Sequence, residues 1–99
     1  MKEYEVTCVT LAAPGTRHEH VTHIGDNRRQ WRLEVDSAVS RIDYQLEVFY
    51  ITDPATRDRA YLRIVREEGK PPYLRARCGG QWNDGLIKLP ACDEHCVLL

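Results

Sequence analysis

From Lys2 to Leu11 the chain alternates, with Tyr4, Val6 and Cys8 on one parity and Glu3, Glu5 and Thr7 on the other. A period of two is the spacing of a half-buried strand, and a strand is predicted here. Ala13, Pro14, Gly15 and Thr16 then bring turn chemistry, Pro by fixing φ and Gly by admitting positive φ. A second β-prone stretch runs from His20 to Ile24, and the two are expected to pair as a loose hairpin. Gly25, Asp26 and Asn27 end it, and Trp31, after an Arg-rich loop, offers its indole to the nearby core.

The period then changes. Val35, Ala38, Val39 and Ile42 stand at i, i+3, i+4 and i+7, which predicts a helix of about ten residues with one apolar stripe laid on a sheet. Leu46 to Thr52 reads LEVFYIT, β-branched and aromatic with apolar groups of both parities, as suits a central strand that stops at Asp53 and Pro54. Arg59–Arg66 and Pro72–Cys78 are two further strands, and the turn-rich connection Glu67–Pro71 makes them the best-marked hairpin in the chain. After Gly79 and Gly80 a polar turn, QWNDG, leads to a short last strand around Leu86, Ile87 and Leu89, closed by Pro90. The order β-β-α-β-β-β predicts an α+β fold: one small, mostly antiparallel sheet of about five strands carrying one helix. Residues 1–92 form the expected single domain, and residues 93–99 a fraying tail.

Composition narrows the function classes mainly by exclusion. Apolar residues make up 42% and charged residues 29% of the 99, an ordinary globular balance that argues against disorder and coiled coil. The net charge of −1 gives no overall field toward nucleic acid or membrane, so any such binding needs a local patch. The longest apolar runs, such as Val48–Ile51, fall far short of the roughly 20 residues of a membrane span. Glu3 and Glu5, with no apolar stretch after Lys2, argue against a secretory leader, so a cytoplasmic location is expected. There Cys8, Cys78, Cys92 and Cys96 are expected to be thiols or metal ligands rather than disulfides.

The landmarks YEVTC, HVTHIG, Trp31, the apolar helix, VFYI, YLRA and LIKLPAC, in this order, resemble a family of small bacterial domains of unknown function. Its members run I-T-H-I-G, Trp, helix, F-Y-V, Y-L-K/R-T and L-L-x-L-P-x-C, and the resemblance spans residues 4–92. It implies a small α+β fold with an antiparallel sheet and carries no activity over. Ala76 stands where the family has Thr, Asp84 and Gly85 replace an Asn pair, and Asp93–Leu99 run past the usual end. Trp31, Phe49, Tyr50, Leu74, Leu86 and Leu89 are expected to fill the core.

The sharpest local asymmetry lies in the hairpin. Residues 57–77 hold seven basic side chains against three acidic ones. Alternation puts Ala60, Leu62 and Ile64 on one face and Arg59, Tyr61 and Arg63 on the other, with Tyr73, Arg75 and Arg77 set opposite to Leu74 and Ala76. Guanidinium groups that pair with anions and rings that stack are what a sheet needs to bind single-stranded nucleic acid or an acidic protein surface. The same pattern also serves as the wet face of any antiparallel sheet.

Other constellations are weaker. His18 and His20 would share one face of an extended strand, but His23 has the opposite parity and the three do not form a ligand set. Cys78, Cys92, His95 and Cys96 have the donor types zinc prefers, without the paired knuckles of a structural site, and form the alternative: a zinc- or thiol-dependent module. Cys96-Val97-Leu98-Leu99 fits a prenylation pattern, but Asp93 and Glu94 stand where basic residues usually assist it. No nucleophile elbow, phosphate loop or metalloprotease motif occurs, so no catalytic residue is assigned and the chain is read as a non-enzyme. The working reading is a small binding or accessory module without a cofactor, not membrane-bound, monomeric or weakly homodimeric, whose Arg and Tyr sheet face meets an anionic partner.

Overall fold

The alternating stretch Lys2–Leu11 is extended as its period requires, yet it serves two sheets. In the computed structural model, which describes residues 2–13 and 15–99, β1 (Lys2–Glu5) lies parallel to β5 (Glu47–Thr52). Past a two-residue break, β2 (Cys8–Leu11) pairs antiparallel with β3 (Val21–Asp26), which is the expected first hairpin. Val6 and Thr7 make the switch. The Val6 N–H donates to the Tyr50 carbonyl at 2.7 Å, and the next N–H, Thr7, donates to the Gly25 carbonyl at 2.9 Å. Successive N–H groups of an extended chain point to opposite sides, so one residue step moves the chain between sheets. Pro14 of the expected turn lies outside the described residues; His18–His20 form a 3₁₀ turn, and β3 starts only at Val21.

The expectation of a single sheet of about five strands is corrected to two sheets. One holds β1, β5, β6 (Arg59–Val65), β7 (Tyr73–Cys78) and β8 (Gln81–Asn83) in the order β1-β5-β6-β7-β8. The other holds β2, β3, β4 (Trp31–Glu34) and β9 (Val97–Leu98) in the order β2-β3-β4-β9. Most neighbours are antiparallel; β1 with β5 and β4 with β9 are parallel. The unforeseen strands β4, β8 and β9 have four, three and two residues, too few for a period to show. Leu86–Leu89, expected as a last strand, instead lie in and just after a second 3₁₀ turn, Asp84–Lys88.

The helix is α1 (Val35–Asp43), with Val35, Ala38 and Val39 buried against both sheets. It ends in a Schellman reversal: the Gln45 N–H donates to Ile42 O and the Leu46 N–H to Arg41 O, both at 3.0 Å, with Gln45 left-handed at φ 56°. Ile24 and Leu33 from one sheet, Phe49, Leu62 and Leu74 from the other, and Leu86 fill the core. Trp31 and Leu89 pack on it from the rim. Tyr50 does not belong there: its neighbours Phe49 and Ile51 take the inward parity and Tyr50 the outward one.

A disulfide between Cys8 and Cys92 joins β2 to the segment after Pro90, which corrects the expectation that these cysteines stay thiols. Sequence spacing hid it because 84 residues separate the two. The segment is also bonded to β2 through its backbone, Cys92 N–H to Val9 O at 3.1 Å and Val9 N–H to Pro90 O at 3.0 Å. Gly25 makes room for the bridge, since a Cβ there would lie 2.4 Å from the Trp31 carbonyl and 3.1 Å from both sulfurs. Of residues 93–99, expected as a fraying tail, Asp93 bonds to Asn27, residues 97–99 run along β4, and Cys96 is buried rather than carried on an exposed tail.

Candidate functional site

Alternation along β6 and β7 sends Ala60, Leu62, Leu74 and Ala76 into the core and the intervening side chains outward. The register then pairs Tyr61 with Arg77 and Arg63 with Arg75, directly across the hairpin. Two guanidinium groups facing each other repel, and such pairs weaken a sheet unless a counter-charge answers them. Asp84 answers Arg75 at 3.0 Å; Arg63 is exposed and has no carboxylate partner among the described residues.

Neighbouring strands extend this face. Tyr50 on β5 lies opposite Tyr61, ring centroids 5.9 Å apart, and the Arg59 guanidinium covers the Tyr50 ring at 4.3 Å. Glu3 on β1 takes both Arg59, at 3.0 Å, and the Tyr61 hydroxyl, at 2.7 Å. On the other flank Trp82 of β8 lies opposite Arg77, with the Arg75 and Arg77 guanidinium carbons 4.9 and 5.0 Å from its ring. Trp82 stays 43% exposed, so part of the indole is open to a partner. Among the described residues the Arg77 guanidinium otherwise donates to the Gly80 carbonyl alone, at 3.0 Å. Four guanidinium groups against the Glu3 and Asp84 carboxylates leave two charges in excess, carried by Arg63 and Arg77.

Of the six side chains read from the sequence, the structure gathers Arg59, Tyr61, Arg63, Arg75 and Arg77 on this face. Tyr73 is withdrawn from it, 8% exposed with its hydroxyl donating to Glu67. That hydrogen bond holds the Glu67 carboxyl below its ordinary range and pushes the Tyr73 phenol up. Trp82 and Tyr50 were missed, the first because QWNDG reads as a turn. The signal for Tyr50 was present: its parity is opposite to that of Phe49 and Ile51.

The metal candidates do not converge. Cys92 is bonded to Cys8, Cys78 packs on the core from β7, and the buried Cys96 thiol sits 3.3 Å from Asn27 Oδ1. No three His, Cys, Asp or Glu side chains among the described residues come together as a metal cluster. His18 lies 3.7 Å from Asp84, His20 accepts from the Arg17 N–H, and His23 contacts the Thr22 hydroxyl on β3, so the histidines also stay apart. Burial, with Arg75 nearby, lowers the His18 pKa, and burial with Arg32 nearby lowers that of His23.

Among the described residues no helix is long and apolar enough to cross a membrane. The profile of a family described as protein of unknown function, DUF3892, matches residues 5–90 of the chain. No curated protein and no solved structure gives a match.

Proposed function

This chain belongs to the DUF3892 family of proteins of unknown function, and from that premise we propose a non-catalytic binding module that meets an anionic partner with the outer face of its five-stranded sheet. The observation that carries this reading is the opposition of Arg63 to Arg75, with one carboxylate for the pair and Arg77 beside it on a half-open Trp82. An arrangement that leaves cations in excess on a stable sheet is relieved when an anion docks, and the exposed indole adds a stacking surface. Bound phosphates or carboxylates would bridge Arg63 and Arg77, while Arg59 and Tyr61, already engaged by Glu3, hold the face in shape.

The test is binding of a fluorescein-labelled oligothymidylate and of a labelled oligoglutamate peptide, followed by anisotropy across a salt series. Arg63→Glu with Arg77→Glu should lower affinity for the responding probe at least tenfold, and each reversal should reduce the salt slope by about 1. Arg63→Glu sets a carboxylate opposite Arg75 while Arg77→Glu gives up the contacts with Trp82 and the Gly80 carbonyl, both at the surface, so the fold should be retained in circular dichroism. Binding that survives the double reversal at low salt, or no binding of either probe, sinks the reading. The alternative zinc or thiol module on Cys78, Cys92, His95 and Cys96 has no observation in its favour, since Cys92 is already bonded to Cys8.

A further inference from the structure

A second surface, on the four-stranded sheet, has a different character. Strand β4 is bordered on its outer side by β9 alone, a strand of two residues held parallel by Val97 N–H to Gln30 O at 2.9 Å and Leu99 N–H to Arg32 O at 2.8 Å. Val97, Leu98 and Leu99 keep 63%, 48% and 60% of their surface exposed. A ladder of two residue pairs and so little burial do little more than offset the ordering of three residues, so β9 is weakly held.

Beneath Leu99 a cleft of about 270 Å³ opens between Tyr4, Trp31, Leu33 and Phe49. The three aromatic rings pack on one another, with centroids 6.0–6.1 Å apart, and together make an apolar wall of the cleft, which Arg41 and Glu47, paired at 2.6 Å, also line. Leu99 lines this cleft without filling it. A cavity of about 150 Å³ already accepts benzene, so the remaining space takes a bulky apolar side chain. The base of the segment is fixed where its tip is not: the Cys8–Cys92 disulfide, the Asp93 N–H bonded to Asn27 Oδ1 at 2.7 Å and the buried Cys96 all precede β9. Residues 97–99 can therefore leave β4 while the chain before them stays in place.

We propose that the β4 edge and the aromatic cleft together form a docking groove for an extended peptide of a partner protein, and that β9 is the resident strand this peptide displaces. The peptide pairs parallel with β4 and places a bulky apolar side chain where Leu99 lines the cleft, so backbone hydrogen bonds supply affinity and the cleft supplies specificity. The resident strand shows the pairing direction, the register and the side-chain position the groove accepts.

The probe is the peptide Asp-Glu-His-Ser-Val-Leu-Phe, which copies residues 93–99 with Ser at the position of Cys96 and Phe at that of Leu99. Titrated into the full ¹⁵N-labelled chain, it should give saturable shifts at the Trp31 indole, at residues 30–33 and at residues 97–99. The same peptide ending in Asp should give none. In the full chain carrying Leu99→Asp, an exposed position whose loss leaves the fold intact, the Phe peptide should bind about two- to fivefold tighter because the little that holds the resident strand is removed. Absence of shifts at millimolar peptide in both chains overturns the proposal, as do shifts confined to the Arg63 and Arg77 face. An affinity unchanged by Leu99→Asp overturns displacement of β9. The same shifts produced by concentrating the chain alone would give the groove to a second copy and overturn a foreign partner.

Discussion

The two sheets share a plan and secure it differently. Within the five-stranded sheet lies a hairpin, β6–β7, whose partners are separated by residues 66–72 alone, so its pairing closes a short loop. The four-stranded sheet adds to its local β2-β3-β4 meander a strand from the last residues, β9, and a disulfide across 84 residues fastens β2 to the segment that leads into it. The first sheet is held by local pairing from β5 through β8, takes β1 from a distance without a covalent tie, and exposes cations. The second depends on a covalent tie, and at its edge it exposes an apolar cleft. Each sheet has a local hairpin at its heart, and the two differ in how the distant strand is secured: β1 by its pairing with β5, the segment after Pro90 by a disulfide as well.

The largest break in this comparison is removal of the lock. In the chain-entropy account a bridge closing a loop of this length stabilises by about 4–5 kcal/mol, and loss of a native bridge commonly costs about 2–5 kcal/mol. Cys92→Ala should therefore lower the urea-unfolding free energy by about 3–5 kcal/mol. Native-state hydrogen exchange should show β2, β3 and residues 91–92 losing protection first, with β6 and β7 holding longest. A uniform loss in both sheets would mean that the two are one cooperative unit and that the disulfide does not act on the four-stranded sheet alone.

Acidification tests both regions at once and has a smaller effect. His18 stands beside Arg75 and Asp84 on the five-stranded sheet, His23 lies on β3, and burial lowers both from the ordinary value of 6.5. Below pH 6.5 the unfolded chain takes up protons that the folded chain refuses, so stability is constant above that pH and falls as pH drops through it. The lowered carboxyls of Glu19, Asp53 and Glu67 titrate below 4.5 and leave the window from pH 5 to 7 to the histidines. His18→Gln and His23→Gln should each flatten part of the slope in thermal melts across that window. Variants with the wild-type slope would show that neither ring is held neutral by burial.

How much the sequence disclosed follows the same division. Where pairing is local, alternation sufficed: the β6–β7 hairpin, its inward Leu62 and Leu74, its outward arginines and the stripe of α1 were all legible. Tyr73 broke the rule because parity says which way a side chain leaves the backbone, not what covers it afterwards. Where pairing is distant, the sequence was silent. Nothing in Lys2–Leu11 marks the change of sheet at Val6 and Thr7, and nothing in Cys8 marks Cys92 as its partner. Glu3 and Asp84, which neutralise half of the arginine face, come from the start of the chain and from a turn, so the surplus on that face is smaller than composition suggested.

The finest comparison uses one substitution in both regions. Gln45 ends α1 at φ 56° before β5, and Gln30 ends the β3–β4 turn at φ 58°, its N–H bonded to the Asp26 carbonyl at 2.7 Å. A left-handed residue with a Cβ costs about 1–2 kcal/mol, while glycine gives back about 0.5–1 kcal/mol through the greater freedom of the unfolded chain. Gln45→Gly should therefore raise the unfolding free energy by about 0.5–1 kcal/mol, measured by urea denaturation. Gln30→Gly relieves the same strain, but the Gln30 carbonyl also receives the Val97 N–H of the resident strand. If β9 is held as weakly as its exposure indicates, the two gains should match, since loosening a strand that contributes little takes little away. A gain at Gln45 with none at Gln30 would show that β9 stabilises the four-stranded sheet, and would make a peptide that displaces it harder to accommodate.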